Sequence, residues 1–222
     1  MISPIEQSNI IHRINDLNGF EFGEFTSASL IEGNLKINLA EVMDDDVCLR
    51  LKLATYIVSE LEKYRINTVV ATGGAINLAK DVAALADFDF IAINSMRNQR
   101  GVKNFSIDED SRVHANKYRS KLAYIEDVSS TWGTVKRSLA DADIKEPEVA
   151  VSAWRRGRPA PLDISAGKIA LLSALNNYRP PYEERLSFPV RGVIERPIPL
   201  CIDSRANLEY WLPEVQDEDR GI

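Results

Sequence analysis

The stretch YIEDVSSTWGT, Tyr124 to Thr134, decides the fold. It opens as an apolar strand and runs into two carboxylates, Glu126 and Asp127. It continues through small hydroxyl residues and reaches Gly133 and Thr134 at the head of an amphipathic run, WGTVKRSLADAD. A buried strand feeding a helix through a short polar turn is the repeating unit of a parallel α/β sheet. Acids at a helix start are commonplace, because the helix dipole favours them. Acids that terminate a buried strand before a hydroxyl-rich turn need a further reason. Successive N–H groups from Ser129 to Thr134 form an anion nest at a helix N-terminus. The hydroxyls of Ser130, Thr131 and Thr134 add donors. Glu126 and Asp127 only accept when ionised, so they suit sugar hydroxyls or a metal-bound diol rather than a phosphate. The whole stretch therefore describes a sugar that carries a phosphate.

Working outward, the same rhythm recurs. INTVVATGG reads as a buried strand meeting a Gly-Gly turn, AINLAKDVAALAD as a helix, FDFIAIN and PEVAVSAW as strands. Continuous apolar runs such as Val69-Val70-Ala71 suit parallel strands covered on both faces. In such sheets ligands bind beyond the carboxyl ends of the strands, which singles out Thr72, Gly73 and Gly74 beside the opening stretch. Nearer the N-terminus, Ser3, Pro4 and Glu6 mark a helix start with a capping box. GEFTSAS and NLKINLAEV read as two extended pieces, and DDDVCLRLKLATYIVSELEKYR as one long helix whose acids lead. The run from Ser95 to Ser120 is polar and weakly patterned. Beyond residue 155 the signal fades: AGKIALLSALNNY reads as a helix, VRGVIE as a strand, EVQDEDRGI as an acidic frayed tail.

The bulk numbers fit this picture. The chain has 222 residues, 45% of them hydrophobic, and a formal net charge of -6. One domain is expected, with a core over about 40–157 and flanks 1–39 and 158–222 as hood, base-facing or subunit-contact pieces. The negative charge argues against a general nucleic-acid binder. Cys48 and Cys201 are far apart, so a disulfide scaffold is not expected and a reducing, cytoplasmic setting is. The N-terminus has no basic region followed by an apolar run, and nothing approaches a membrane span. Two histidines, His12 and His114, and distant cysteines make no metal-ligand cluster. Asp44-Asp45-Asp46 reads as a helix start, and Trp154, Tyr210 and Trp211 as packing or dimer residues.

The Tyr124–Thr134 stretch resembles the phosphoribosyl-pyrophosphate (PRPP) motif of type I phosphoribosyltransferases. That motif is a hydrophobic strand, two acids, two variable positions, Thr or Ser, Thr, Gly, a variable position, and Thr or Ser. Glu126, Asp127, Ser130, Thr131, Gly133 and Thr134 match it. VVATGGAINLA is similar to the pyrophosphate loop of orotate phosphoribosyltransferases, and FGEFTSAS to their opening Gly-x-Phe-x-x-x-Ser segment. MRNQRGVKN stands where that family has a mobile loop with basic residues three apart, a spacing kept by Arg97 and Arg100. The four segments agree in order and separation over residues 19–157.

The resemblance implies a mainly parallel sheet flanked by helices, with a mobile lid over Ser95–Ser120 and a smaller hood. It implies transfer of the phosphoribosyl group of PRPP to a ring nitrogen, with Mg²⁺ and release of pyrophosphate, in a homodimer. Glu126, Asp127, Arg97 and Arg100 would carry catalysis. Thr72, Gly73, Gly74, Lys103 and the loop Val128, Ser129, Ser130, Thr131, Trp132, Gly133 and Thr134 would hold PRPP, and Ser29 and Arg155 the base. Magnesium would be bound mainly through PRPP, with Glu126 and Asp127 as side-chain contacts.

Departures accompany the match. The family's Ser-Gly pair is Ser29-Leu30 here, the loop lacks the family's lysines and histidine, and its first glycine falls on Trp132. Either the loop shifts so that Gly133 takes that role, or Trp132 points out and the nest survives, or the phosphate site is lost, or the indole stacks on a base. A regulator that binds PRPP or a nucleotide without turnover is the rival reading. A Rossmann-like dinucleotide binder is disfavoured, since ATGGAINLA lacks the three-glycine spacing and its acidic partner.

Overall fold

The computed structural model describes residues 2–26, 32–97, 103–117, 119–129, 132–155 and 167–172. Helix α1 (Pro4–Asp16) begins as its sequence dictates, with Pro4 in the first turn and the Ser3 hydroxyl accepting from the Glu6 N–H at 3.2 Å. Strands β1 (Phe20–Thr26) and β2 (Glu32–Ile37) form an antiparallel hairpin. The extended reading of NLKINLAEV holds only to Ile37. Its second half is helix α2 (Leu39–Asp45), because Leu39, Val42 and Met43 fall three and four apart and bury together. Helix α3 (Val47–Leu61) follows. The aspartate run is thus divided: Asp44 and Asp45 end α2, and Asp46 caps α3 by accepting from the Leu49 N–H at 3.0 Å. That bond, with one from Arg13 at 2.6 Å, holds the Asp46 carboxyl below the usual aspartate range.

The sheet then builds by alternation. In chain order come β3 (Thr68–Thr72), α4 (Ile76–Ala86), β4 (Asp89–Arg97), β5 (Lys103–Ser106), α5 (Glu109–Asn116), β6 (Leu122–Ser129), α6 (Gly133–Asp141), β7 (Val149–Arg155) and β8 (Gly167–Leu172). The spatial order is β5-β4-β3-β6-β7-β8, parallel throughout except for β5, which returns antiparallel along β4. One expectation is sharpened here and one corrected. The weakly patterned run after Ser95 holds regular elements, since Phe105 anchors β5 and Ala115 anchors α5 in the core. GKIALL is a strand, not a helix. A short apolar run is ambiguous by periodicity, and pairing with β7 decides it.

Alternation along the strands splits the core into two layers. Val69, Ala71, Ala123, Ile125, Val149 and Val151 face the side covered by α1 to α4. Val70, Leu122, Tyr124 and Ala150 face the other side, with Phe105 of β5 and Val135 and Leu139 of α6. The Tyr124 hydroxyl and Ser138 Oγ pair at 2.7 Å inside this second layer, so neither buried polar group is wasted. Trp154 packs edge-on to Phe20, ring centroids 5.6 Å apart, which ties the β1–β2 hairpin to β7.

At the amino ends of the strands, Asn67 fastens three neighbours. Its carbonyl accepts from the Asp89 N–H, its side-chain Nδ2 donates to the Arg119 carbonyl, and its Oδ1 accepts from the Lys121 N–H at 2.8 Å. No helix among the described residues is long and apolar enough to cross a membrane.

Candidate active site

From β3 the chain moves outward to β4 on one side, while β6, on the other side of β3, leads outward to β7. The carboxyl ends of β3 and β6 thus flank the point where the winding reverses, the crevice in which open α/β sheets bind ligands. The two strands also differ in reach. The β3–β6 pairing ends at Ala71 opposite Ile125, but β6 runs on to Ser129, paired only with β7. Glu126 to Ser129 therefore form a ledge beyond β3, with one edge bonded and the other turned toward the Gly73–Gly74 turn.

The two glycines serve different needs. Gly73 sits at φ +57 with open space around it, a left-handed bend at which glycine carries no steric penalty. Gly74 is required by proximity: a Cβ there would stand 2.6 Å from both the Ala40 Cβ and the Asp127 Oδ2. The turn after β3 is thereby pressed against Asp127 and α2. Thr72 is buried and its hydroxyl donates to the Ile93 carbonyl at 2.7 Å, which pins the end of β3 to β4.

Alternation sends the two acids to opposite faces of β6. Asp127 lies on the Gly74 side, half-buried, and burial raises its carboxyl above the usual range. Glu126 lies on the Tyr124 side, 5% exposed, with its Oε2 unpartnered. Its pKa is pushed up to about 8, first by burial and then by the neighbouring Asp127, while a hydrogen bond from Thr134 and the charge of Lys103 pull down. Lys103, the first residue of β5, also offsets the rise at Asp127, so its charge is felt at both acids.

Beyond the ledge, Trp132 answers part of its own question. Its backbone adopts φ 62, ψ 14, the left-handed conformation at the position of the motif's first glycine. Gly133 is already the first residue of α6, so the bend has not moved to it. The indole neither points out nor offers a face to a base. It is 2% exposed, inside the apolar layer with Phe105, Tyr124 and Val135, and its Nε1 has no hydrogen-bond partner. A left-handed bend costs a bulky residue about 1–2 kcal/mol, and an unpaired buried N–H about 1–3 kcal/mol. Truncating a buried aromatic costs about 3–5 kcal/mol, so packing carries the arrangement.

The described part of the loop includes Val128, packed against the first core layer, and Ser129. The Ser129 N–H donates to Ser152 Oγ at 3.1 Å and its own hydroxyl is unpartnered. Ser29, Arg100, Ser130 and Thr131 lie outside the described residues. Arg97 and Arg155 lie in β4 and β7, paired with Lys103 and Ser129, and their side chains are outside the description. Gly73, Gly74, Lys103, Glu126 to Ser129 and Trp132 to Thr134 are brought to one end of the sheet. Phe105 and Arg137 went unnoticed in the sequence. Arg137 Nη2 donates to the Lys103 carbonyl, 34 residues away, and its guanidinium lies 5.8 Å from the centre of the Phe105 ring. No local spacing announces such a contact.

No family model matches the sequence, and no curated protein matches it. Solved structures do match. The fold is similar to orotate phosphoribosyltransferase from Aeropyrum pernix, with a TM-score of 0.55, 14% identity, and coverage of 75% of this chain and 92% of that one. It is similar to Leishmania donovani UMP synthase, TM-score 0.54 and 15% identity, over 74% of this chain but only 35% of that longer one. It is also similar to adenine phosphoribosyl transferase from Trypanosoma brucei, in complex with AMP, pyrophosphate and ribose-5-phosphate, TM-score 0.53 and 10% identity, over 77% of this chain and 80% of that one. Orotate and adenine enzymes stand together among these neighbours, and the shared feature is the architecture: the chain has the type I phosphoribosyltransferase fold.

Proposed function

We propose that the chain is a phosphoribosyltransferase that moves the 5-phosphoribosyl group of PRPP to a ring nitrogen of a base, orotate-type, with release of pyrophosphate. The observation that carries this reading is the ledge. An acid pair stands past the end of β3, one acid against the Gly73–Gly74 turn and the other beside the start of α6. The ribose diol would lie on the acids. Burial pushes the Glu126 carboxyl up to about 8, and a carboxyl that keeps its proton near neutral pH would donate as well as accept, which matches a hydroxyl. The amides after Trp132 would receive the 5′-phosphate, and the turn at Gly73 the pyrophosphate.

The bond from the ribose C1 to pyrophosphate breaks as the ring nitrogen forms its own. Positive charge grows on the sugar and negative charge on the leaving group. Asp127, held close to the turn, would face the sugar's charge, and Arg97 and Arg100 the leaving group's. Magnesium fits as a substrate-borne ion. The Asp127 carboxylate is the hard oxygen donor that it would meet at the ledge. When bound, it would neutralise charge on the departing pyrophosphate. A homodimer is part of the proposal.

The rival is a PRPP- or nucleotide-binding regulator on the same fold, favoured by one observation: a tryptophan stands in the bend where the motif has glycine. Pyrophosphate release with PRPP, Mg²⁺ and a panel of orotate, uracil, adenine and hypoxanthine separates them. Turnover with orotate supports the proposal. Turnover with another base keeps the enzyme and changes its acceptor, and binding of PRPP without turnover selects the regulator.

A further inference from the structure

We propose that Trp132 is a positioning residue, whose buried indole holds the left-handed bend at the head of α6 in place and fastens it to β5, the strand that begins at Lys103. The inference rests on the reading of this loop as a phosphoribosyl site, and three observations carry it. The bend occurs at φ 62 in a residue without glycine's freedom, so something other than backbone preference maintains it. The indole lies in one apolar layer with Phe105 of β5, Tyr124 of β6 and Val135 of α6. A second fastening runs outside that layer, where Arg137 of α6 donates to the Lys103 carbonyl and lies over the Phe105 ring.

With glycine at this position, the bend would be one conformation among many until a ligand selects it. With Trp132, the core selects it beforehand. The bend, the Lys103 charge and the Glu126 ledge then belong to one packed body. Preorganisation of this kind strengthens binding by removing an ordering cost rather than by adding a contact. The indole Nε1 makes no hydrogen bond, so the action is through packing. Phenylalanine should therefore replace it, and glycine should not.

The experiment compares wild type, Trp132→Phe and Trp132→Gly by calorimetry with ribose 5-phosphate, and by amide hydrogen exchange without ligand. Trp132→Phe should bind within about threefold of wild type. Trp132→Gly should bind about tenfold more weakly, with a less favourable entropy. Its amides at 133–137 and 103–106 should exchange faster together. Equal or tighter binding by Trp132→Gly overturns the proposal, as does faster exchange confined to α6. If wild type does not bind ribose 5-phosphate, the phosphoribosyl reading fails, and exchange alone decides the fastening: joint acceleration upholds it, and unchanged β5 amides overturn it. If Trp132→Gly does not fold, Phe105→Leu takes its place. That change lies outside the loop, and it should quicken exchange at 133–137; unchanged exchange there overturns the proposal.

Discussion

Glu126 and Asp127 are neighbours in sequence with different surroundings, and their variants should differ accordingly. Asp127→Asn removes the charge beside the Gly73–Gly74 turn without changing shape. On the proposed function, PRPP turnover should fall by about 100-fold or more with the melting temperature unchanged, as a loss of transition-state stabilisation. Glu126 makes its mark on stability. Its folded-state pKa is raised from 4.5 to about 8, so the folded protein holds this proton more tightly than the unfolded chain. The stability it contributes is complete below pH 4.5 and is lost as the pH rises through about 8. Urea unfolding of Glu126→Gln should show a gain over wild type that grows from pH 5 to pH 8, and a gain independent of pH would refute the assignment. The place of both acids at the end of β6 was legible in the sequence, because they close an apolar run. The fate of Trp132 was not. A residue's type does not say which way it faces, and only the buried layer it shares with Phe105 and Val135 placed the indole inward.

Among the elements, the unequal lengths of β3 and β6 make the ledge, and the turn after β3 lies against it. Gly74→Ala should destabilise the fold by about 1–3 kcal/mol in urea unfolding, because the new Cβ meets the Ala40 Cβ and Asp127 at 2.6 Å. On the proposed function it should also lower turnover by displacing Asp127. Wild-type stability and rate together would mean that the turn is not pressed against β6. Strands β3, β6 and β7 and helices α4 and α6 were readable, since each has the period and punctuation of its type. The first half of NLKINLAEV was readable and the second was not: Leu39, Val42 and Met43 form a helical stripe only once β2 stops at Ile37. GKIALL was misread because six residues with no clear period take their identity from a partner strand.

For the whole molecule, the order of strands is what the sequence could not specify. Alternating strands and helices announce a parallel sheet, but not that β3 sits centrally with β6 beside it. The hairpin ahead of the sheet illustrates the same limit, since its attachment rests on Phe20 and Trp154, far apart in the chain. Trp154→Ala should cost about 3–5 kcal/mol of stability by urea unfolding. Amide exchange in β1 and β2 should rise beyond that in β3, whereas a uniform rise would show that the hairpin does not depend on this contact.

Asn67 gives the sheet a form of proofreading. A slip of one residue between β3 and β6 would turn β6 over, so that Asp127 entered the apolar layer and Glu126 met α2. The side chain of Asn67 meets its two partners on the segment leading into β6 in a single alignment. An amide at the floor of the sheet thus dictates which carboxylate faces which wall at the opposite rim.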